Sequence, residues 1–121
     1  MDSLAIQKNS LRGKLTSNNY LKVSYPLLLK FDAATAVFVT LLVHMEVYNE
    51  EQKQVDADGF FMIKRDYVED KIGFTKKIQM RITTDLVEKG LIQYKKKGIP
   101  QTGWIKINHS VINLLLDNCK F

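Results

Sequence analysis

A chain of 121 residues with 45% hydrophobic residues, 26% charged residues and a formal net charge of +5 has the size and balance of one soluble globular domain. A chain this long buries about two-thirds of its unfolded surface, enough for a core without staples, and its one cysteine, Cys119, excludes an internal disulfide and fits a reducing cytoplasm. No leader pattern opens it. The greasiest stretch, Ala33 to Tyr48, is broken by Thr35, Thr40, His44 and Glu46 and is shorter than the ~20 residues a bilayer span requires, so no membrane partner is expected.

In chain order, residues 1–19 are polar and basic (Lys8, Arg12, Lys14), with Leu4, Ile6, Leu11 and Leu15 thinly spaced. They are either a flexible arm or a short packed helix, set apart from a domain over residues 20–121. Tyr20 to Tyr25 alternates weakly and suggests an edge strand ended by Pro26. Asp32 suits an N-cap for a helix through about Asn49. That helix is apolar nearly all round, so it is central to the core or shares a face with a partner chain. His44 within it is expected to be a hydrogen-bonded packing residue, because a metal site needs several ligands. Asn49 to Asp58 is an acidic connection ending in the turn signal Asp58-Gly59. Asp56-x-Asp58-Gly59 is not a calcium loop, since Phe60 stands where a further oxygen ligand is needed.

Phe60 to Ile63 predicts one strand of a small sheet. Lys64 to Ile72 predicts a helix with Tyr67, Val68 and Ile72 inward, broken by Gly73. Thr75 can cap a second helix whose Ile78, Ile82 and Leu86 recur every four residues as a buried stripe. Gly90 is placed to end it in the left-handed conformation. Leu91 to Lys97 and Trp104 to Asn108 predict a hairpin around a Gly98–Gly103 turn, with Ile105 and Ile107 on one face and Trp104 and Lys106 on the other. Ser110 is a candidate cap for a last helix, Val111 to Asn118, whose Ile112, Leu115 and Leu116 form an apolar face.

Catalytic signatures are missing. There is no H-E-x-x-H, C-x-x-C or G-x-S-x-G, and Gly13-Lys14 lacks the first glycine and the Ser/Thr of a phosphate loop. His44 and His109 lie in different elements without a nearby nucleophile. The expectation is a binding protein with no enzymatic activity, cofactor or metal.

Charge placement points to a ligand. No acid occurs between Asp70 and Asp85, where Lys71, Lys76, Lys77 and Arg81 fall, and none between Glu88 and Asp117, where Lys89, Lys95, Lys96, Lys97 and Lys106 fall. A one-sided basic surface suits nucleic acid; a solvated lysine face is the plainer alternative. On a helical wheel Lys76, Lys77, Met80, Thr83 and Thr84 project away from the Ile78/Ile82/Leu86 stripe. Lysine and threonine contact phosphates or base edges, and methionine packs on a thymine methyl. The candidate DNA-binding set is Thr75, Lys76, Lys77, Gln79, Met80, Arg81, Thr83 and Thr84 on the helix, with Lys95, Lys96 and Lys97 on the hairpin.

Several segments carry a resemblance: Tyr20-Leu21-Lys22-Val23, the long helix ending near Asn49-Glu50, Gly59-Phe60-Phe61-Met62-Ile63, Ile72-Gly73-Phe74-Thr75, Leu86-Val87-Glu88-Lys89-Gly90-Leu91-Ile92 and Trp104-Ile105-Lys106-Ile107-Asn108. From Tyr20 to Ile112 the chain resembles the winged helix-turn-helix proteins of Gram-positive plasmids and phages, above all small replication initiators and related regulators. One departure stands out. Such helices usually carry apolar residues where this one has Gln79 and Thr83, whereas its stripe uses Ile78, leaving open which of Gln79, Met80 and Thr83 faces outward.

The resemblance implies an α+β fold: a winged helix-turn-helix with a long central N-terminal helix, a β-hairpin wing and a short C-terminal helix. It implies duplex DNA as ligand, often bound as a dimer. The expected function is double-stranded DNA binding for a mobile element, in replication initiation, transcription regulation or DNA processing and transfer. The alternative is a protein–protein adaptor in a replication or DNA-transfer complex.

Overall fold

The structure, a computed structural model, describes residues 3–16 and 21–117. Tyr20, Asn118 and Cys119, named above, lie outside the described residues. Among the described residues six helices and three strands follow one another: α1 (Ser3–Thr16), α2 (Tyr25–Lys30), α3 (Ala33–Glu51), β1 (Phe61–Met62), α4 (Arg65–Ile72), α5 (Lys76–Glu88), β2 (Ile92–Lys97), β3 (Thr102–Ile107) and α6 (His109–Asp117). The strands form one antiparallel sheet in the order β1-β3-β2.

At the N-terminal end one of two alternatives is taken and one expectation changes. Much of the 1–19 arm is helical, as α1. The segment read as an edge strand is instead irregular over residues 21–24 and then helical. Pro26 does not end a strand there; it sits in the first turn of α2, where its missing N–H costs nothing, and Ser24 Oγ accepts from the Leu27 N–H at 3.4 Å.

The Asp32 cap of α3 is present. Its Oδ1 accepts from the Thr35 N–H at 2.7 Å, and bonding to Thr35 holds its carboxyl below the usual range. One face of α3 is core: Ala36, Phe38, Val39, Leu41, Leu42 and Met45 are all buried. Truncating a buried aromatic such as Phe38 to alanine costs about 3–5 kcal/mol. Polar residues on this face turn their hydrogen bonds onto their own helix, Thr40 Oγ1 to the Ala36 carbonyl (2.8 Å) and Asn49 Nδ2 to the Met45 carbonyl (2.7 Å), which makes their burial tolerable. The other face exposes Val43, His44, Val47 and Tyr48. His44 is therefore not the packed core histidine expected, because it is exposed, off the buried side of α3 that meets α2 and α5.

Helix α4 ends where Gly73 takes φ +73°. Val68 is fully buried and Ile72 half-buried one turn on, but Tyr67 is 42% exposed. It neighbours Val68 around the helix, so only one of the two can face inward, and Lys71 Nζ lies 5.8 Å from its ring centroid. Thr75 caps α5, its hydroxyl accepting from the Ile78 N–H at 3.3 Å. Gly90, at φ +74°, closes the helix as expected.

The hairpin register pairs Tyr94 with Ile105, Lys95 with Trp104, Lys96 with Gly103 and Lys97 with Thr102. Opposed residues share a face, so Tyr94, Lys96, Gly103 and Ile105 lie on the core side of the sheet. Lys95, Lys97, Thr102 and Trp104 lie on the outer side. The last helix starts at His109, earlier than expected. Ser110 lies inside its first turn and donates to Asn108 Oδ1 (3.1 Å), so it does not act as the predicted cap. His109 Nε2 meets Glu46 Oε1 at 2.8 Å and ties α6 to α3. Helix, glycine turn, helix and hairpin thus follow in the order of a winged helix.

Candidate nucleic-acid interface

Amphipathic placement decides what α5 can show to a ligand. Its buried stripe is Gln79, Ile82, Thr83 and Leu86, with Ile78 only half-buried at the margin. Gln79 is 0% exposed and Thr83 1%, so neither presents a side chain to a partner, and both leave the candidate contact set. Their chemistry explains the burial. Gln79 Nε2 donates to the carbonyls of Arg65 (3.0 Å) and Phe74 (2.8 Å). It thereby joins both ends of α4 to α5. Thr83 Oγ1 donates to the Gln79 carbonyl at 2.7 Å.

With the stripe so placed, Thr75, Lys76, Lys77, Arg81 and Thr84 are exposed and Met80 half-exposed. These six residues carry three positive charges and no negative one. They run along one face from the N-terminus of α5 to Thr84, and at that N-terminus free backbone N–H groups also favour an anion. The two acids of the helix, Asp85 and Glu88, sit in its last turn, and Asp85 is bonded to Lys89 at 3.0 Å. Lys76 meets Asp66 at 3.2 Å with both side chains largely in water; such a pair is worth about 0–1 kcal/mol and yields readily to a phosphate. Arg81 stands close enough to Asp32 to contribute, behind Thr35, to the lowering of that carboxyl's pKa.

The wing lysines divide. Lys95 Nζ lies 2.9 Å from Asp56 Oδ2 and 4.1 Å from the Phe60 ring centroid. Lys97 Nζ lies 2.8 Å from the same oxygen and 3.7 Å from the Trp104 ring centroid. Asp56 also accepts from the backbone N–H groups of Asp58 (3.0 Å) and Phe60 (2.9 Å). The Lys97 and Lys95 ammonium groups, with those N–H groups, hold its carboxyl far below the ordinary value. The aspartate that sequence spacing compares with a calcium loop is thus a clamp on the outer face of the wing. Lys95 and Lys97 are committed there, away from α5, and do not join the contact surface. Lys96 alone of the three is turned to the core side, and it lines a cleft of about 760 Å³ together with Lys76 and Met80. At the hairpin tip Ile99 is fully exposed.

Residues that sequence reading did not single out line the same cleft: Lys64 and Arg65 at the start of α4, and Tyr94 on β2. The signal available for Arg65 was its position at the head of the first motif helix. Its value depends on a tyrosine 29 residues away, which no local pattern reveals.

No protein-family description matches the sequence, and no curated protein is similar to it. Solved structures do share the fold. The N-terminal domain of a DNA-binding protein superposes with a TM-score of 0.50 at 16% identity, covering 83% of this chain and 76% of that one. A Rep–DNA complex superposes with a TM-score of 0.50 at 16% identity, covering 96% of this chain and 97% of that one. This is a winged helix-like α+β fold. At such low identity the likeness speaks for the fold, and the winged helix here must be assigned a task from its own surface.

Proposed function

We propose that this winged helix binds double-stranded DNA, with the exposed face of α5 in the major groove. Lys76, Lys77, Met80 and Thr84 meet base edges there, Arg81 and Thr75 hold phosphates beside them, and Lys96 holds the backbone from the wing. The single observation that carries this reading is the exposed, acid-free cluster of Lys76, Lys77, Met80, Arg81 and Thr84 on one face of α5, facing Lys96 across the cleft. A winged helix-like relative solved as a Rep–DNA complex supports it. So does the resemblance to plasmid and phage initiators, and we take the protein to serve a mobile element in replication initiation, transcription regulation or DNA transfer. It acts in the cytoplasm by binding, without catalysis. Among the described residues no helix is long and apolar enough to cross a membrane.

The test is titration of a genomic-fragment library at several salt concentrations, followed by sequencing of the bound DNA. Affinity falls steeply with salt, because each neutralised phosphate releases counterions. Absence of binding to any duplex at low salt sinks the proposal.

A second reading has its own observation. Val43, Val47, Tyr48 and Tyr67 are exposed on α3 and α4, and Tyr25, Leu28, Leu29 and Leu114 on α2 and α6. Such surfaces suit a second copy or a replication or transfer protein. Purification from the host with nuclease treatment separates the readings: a stoichiometric protein partner that survives, with no DNA recovered beforehand, favours an adaptor.

A further inference from the structure

The cleft between α4, α5 and the wing contains a cation in an unusual state. The Arg65 guanidinium is partly buried, and among the described residues no carboxylate lies within ion-pair distance of it. Its Nη2 donates to the Tyr94 hydroxyl at 3.3 Å, and its Cζ lies 5.9 Å from the Tyr94 ring centroid. Its Nη1 is shut off from water and has no hydrogen-bond partner among the described residues. A cation withdrawn from water without a counter-charge is costly. That cost is offset where a ligand brings the anion.

The surroundings are built to hold this arginine still. Gln79 Nε2 bonds the Arg65 carbonyl. The Tyr94 ring lies against Gly103 so closely that a Cβ there would stand 2.8 Å from the ring's Cε2 and hydroxyl oxygen. Glycine at 103 is therefore what lets the tyrosine lie across β3 and reach Arg65. The cleft's charged lining is Lys64, Arg65, Lys76 and Lys96 against the single acid Asp66, and Asp66 is occupied by Lys76.

We propose that this cleft is a phosphodiester-binding site with Arg65 as its fixed cation and Lys76 and Lys96 as its mobile rim. The inference rests on the duplex-DNA reading above and refines it. One strand's backbone passes between α5 and the wing, over the first turn of α4, and its phosphate supplies the charge that Arg65 lacks. A duplex backbone, and not a free phosphate compound, is the occupant, because Lys76 and Met80 belong at once to this cleft and to the exposed face of α5.

The test compares the salt dependence of binding to a mixed-sequence duplex for the wild type, Arg65→Gln and Arg65→Lys. Loss of one phosphate contact lowers the slope of log K against log salt by about 0.9, so Arg65→Gln is expected to show that drop with roughly tenfold weaker binding at moderate salt. Arg65→Lys, which keeps the charge, restores most of the slope. A purely structural role lowers melting temperature in both variants and leaves the slope alone; that result overturns the site. Should Arg65→Gln fail to fold, titration of the wild type with inorganic pyrophosphate decides. Saturable amide shifts at Arg65, Tyr94 and Gly103 support the site, and shifts confined to residues 75–78, or none, overturn it. A wild type that binds no duplex while pyrophosphate still shifts Arg65 defeats the duplex reading and with it the backbone occupant. A wild type that binds duplex with a slope indifferent to Arg65→Gln defeats the cleft alone.

Discussion

Lys95, Lys96 and Lys97 are adjacent in one strand and identical in chemistry, yet they occupy two different electrostatic regions. On the outer face of the wing, Asp56 draws Lys95 and Lys97 to within 3 Å, and the Phe60 and Trp104 rings cover them. On the inner face, Lys96 looks into the cleft toward Lys76 and Arg65. The alternation of a strand separates them, and the partners waiting on each side decide what their charge does. Two of the three lysines bind the hairpin to the turn before β1; one remains for a ligand. A basic run therefore says less about an interface than the faces onto which it divides.

The comparison can be broken first on the helix. Replacing Lys76 and Lys77 together with alanine removes two exposed charges from the N-terminus of α5. At about 1.4 kcal/mol for each charge-assisted contact, affinity for duplex DNA should fall about a hundredfold. Unchanged affinity in a fluorescence titration would place the binding face elsewhere. The variant should melt within a degree or two of the wild type, since both side chains are exposed.

Gln79 tests whether the inner stripe has been placed correctly. Gln79→Leu keeps the bulk but leaves the Arg65 and Phe74 carbonyls without their donor. Stranding buried acceptors costs about 1–3 kcal/mol. The expected result is a lowered urea midpoint. A variant as stable as the wild type would mean that the two carbonyls do not depend on Gln79.

The outer face is sharpened by acid. Asp56 is held below its unfolded value, so its contribution to stability is complete above about pH 4. It is lost as pH falls through that value toward the depressed folded one. The stability gap between the wild type and Asp56→Asn, from urea melts, should therefore shrink between pH 7 and pH 3. A gap that is constant with pH would show the clamp to be energetically idle.

These particulars also show how far the sequence could be read. Glycines at 73 and 90, the Thr75 and Asp32 caps and the alternation of β3 are local signals, each set by a few neighbouring residues, and the winged helix followed from them. Failures came where distant partners intervene. Gln79 and Thr83 look like surface residues by polarity, but they satisfy backbone groups inside the α4–α5 junction. They occupy the positions where the resembling helices carry apolar side chains, so the departure itself marked the buried stripe. The Asp56 clamp joins residues about forty apart, and the polar spacing of the acidic turn gives no hint of it. Tyr25 was misread because a proline in the first turn of a helix and one at the end of a strand look alike without the Ser24 cap.

The most direct measurement sets the two faces of the wing against each other: the salt dependence of duplex binding for the wild type, Lys96→Ala and the Lys95→Ala/Lys97→Ala pair. The account predicts that Lys96→Ala lowers the slope by about 0.9, the value of one phosphate, while the double variant binds with the slope of the wild type. A double variant that loses about twice that slope, with Lys96→Ala unchanged, would put the DNA on the outer face and contradict the assignment of the cleft.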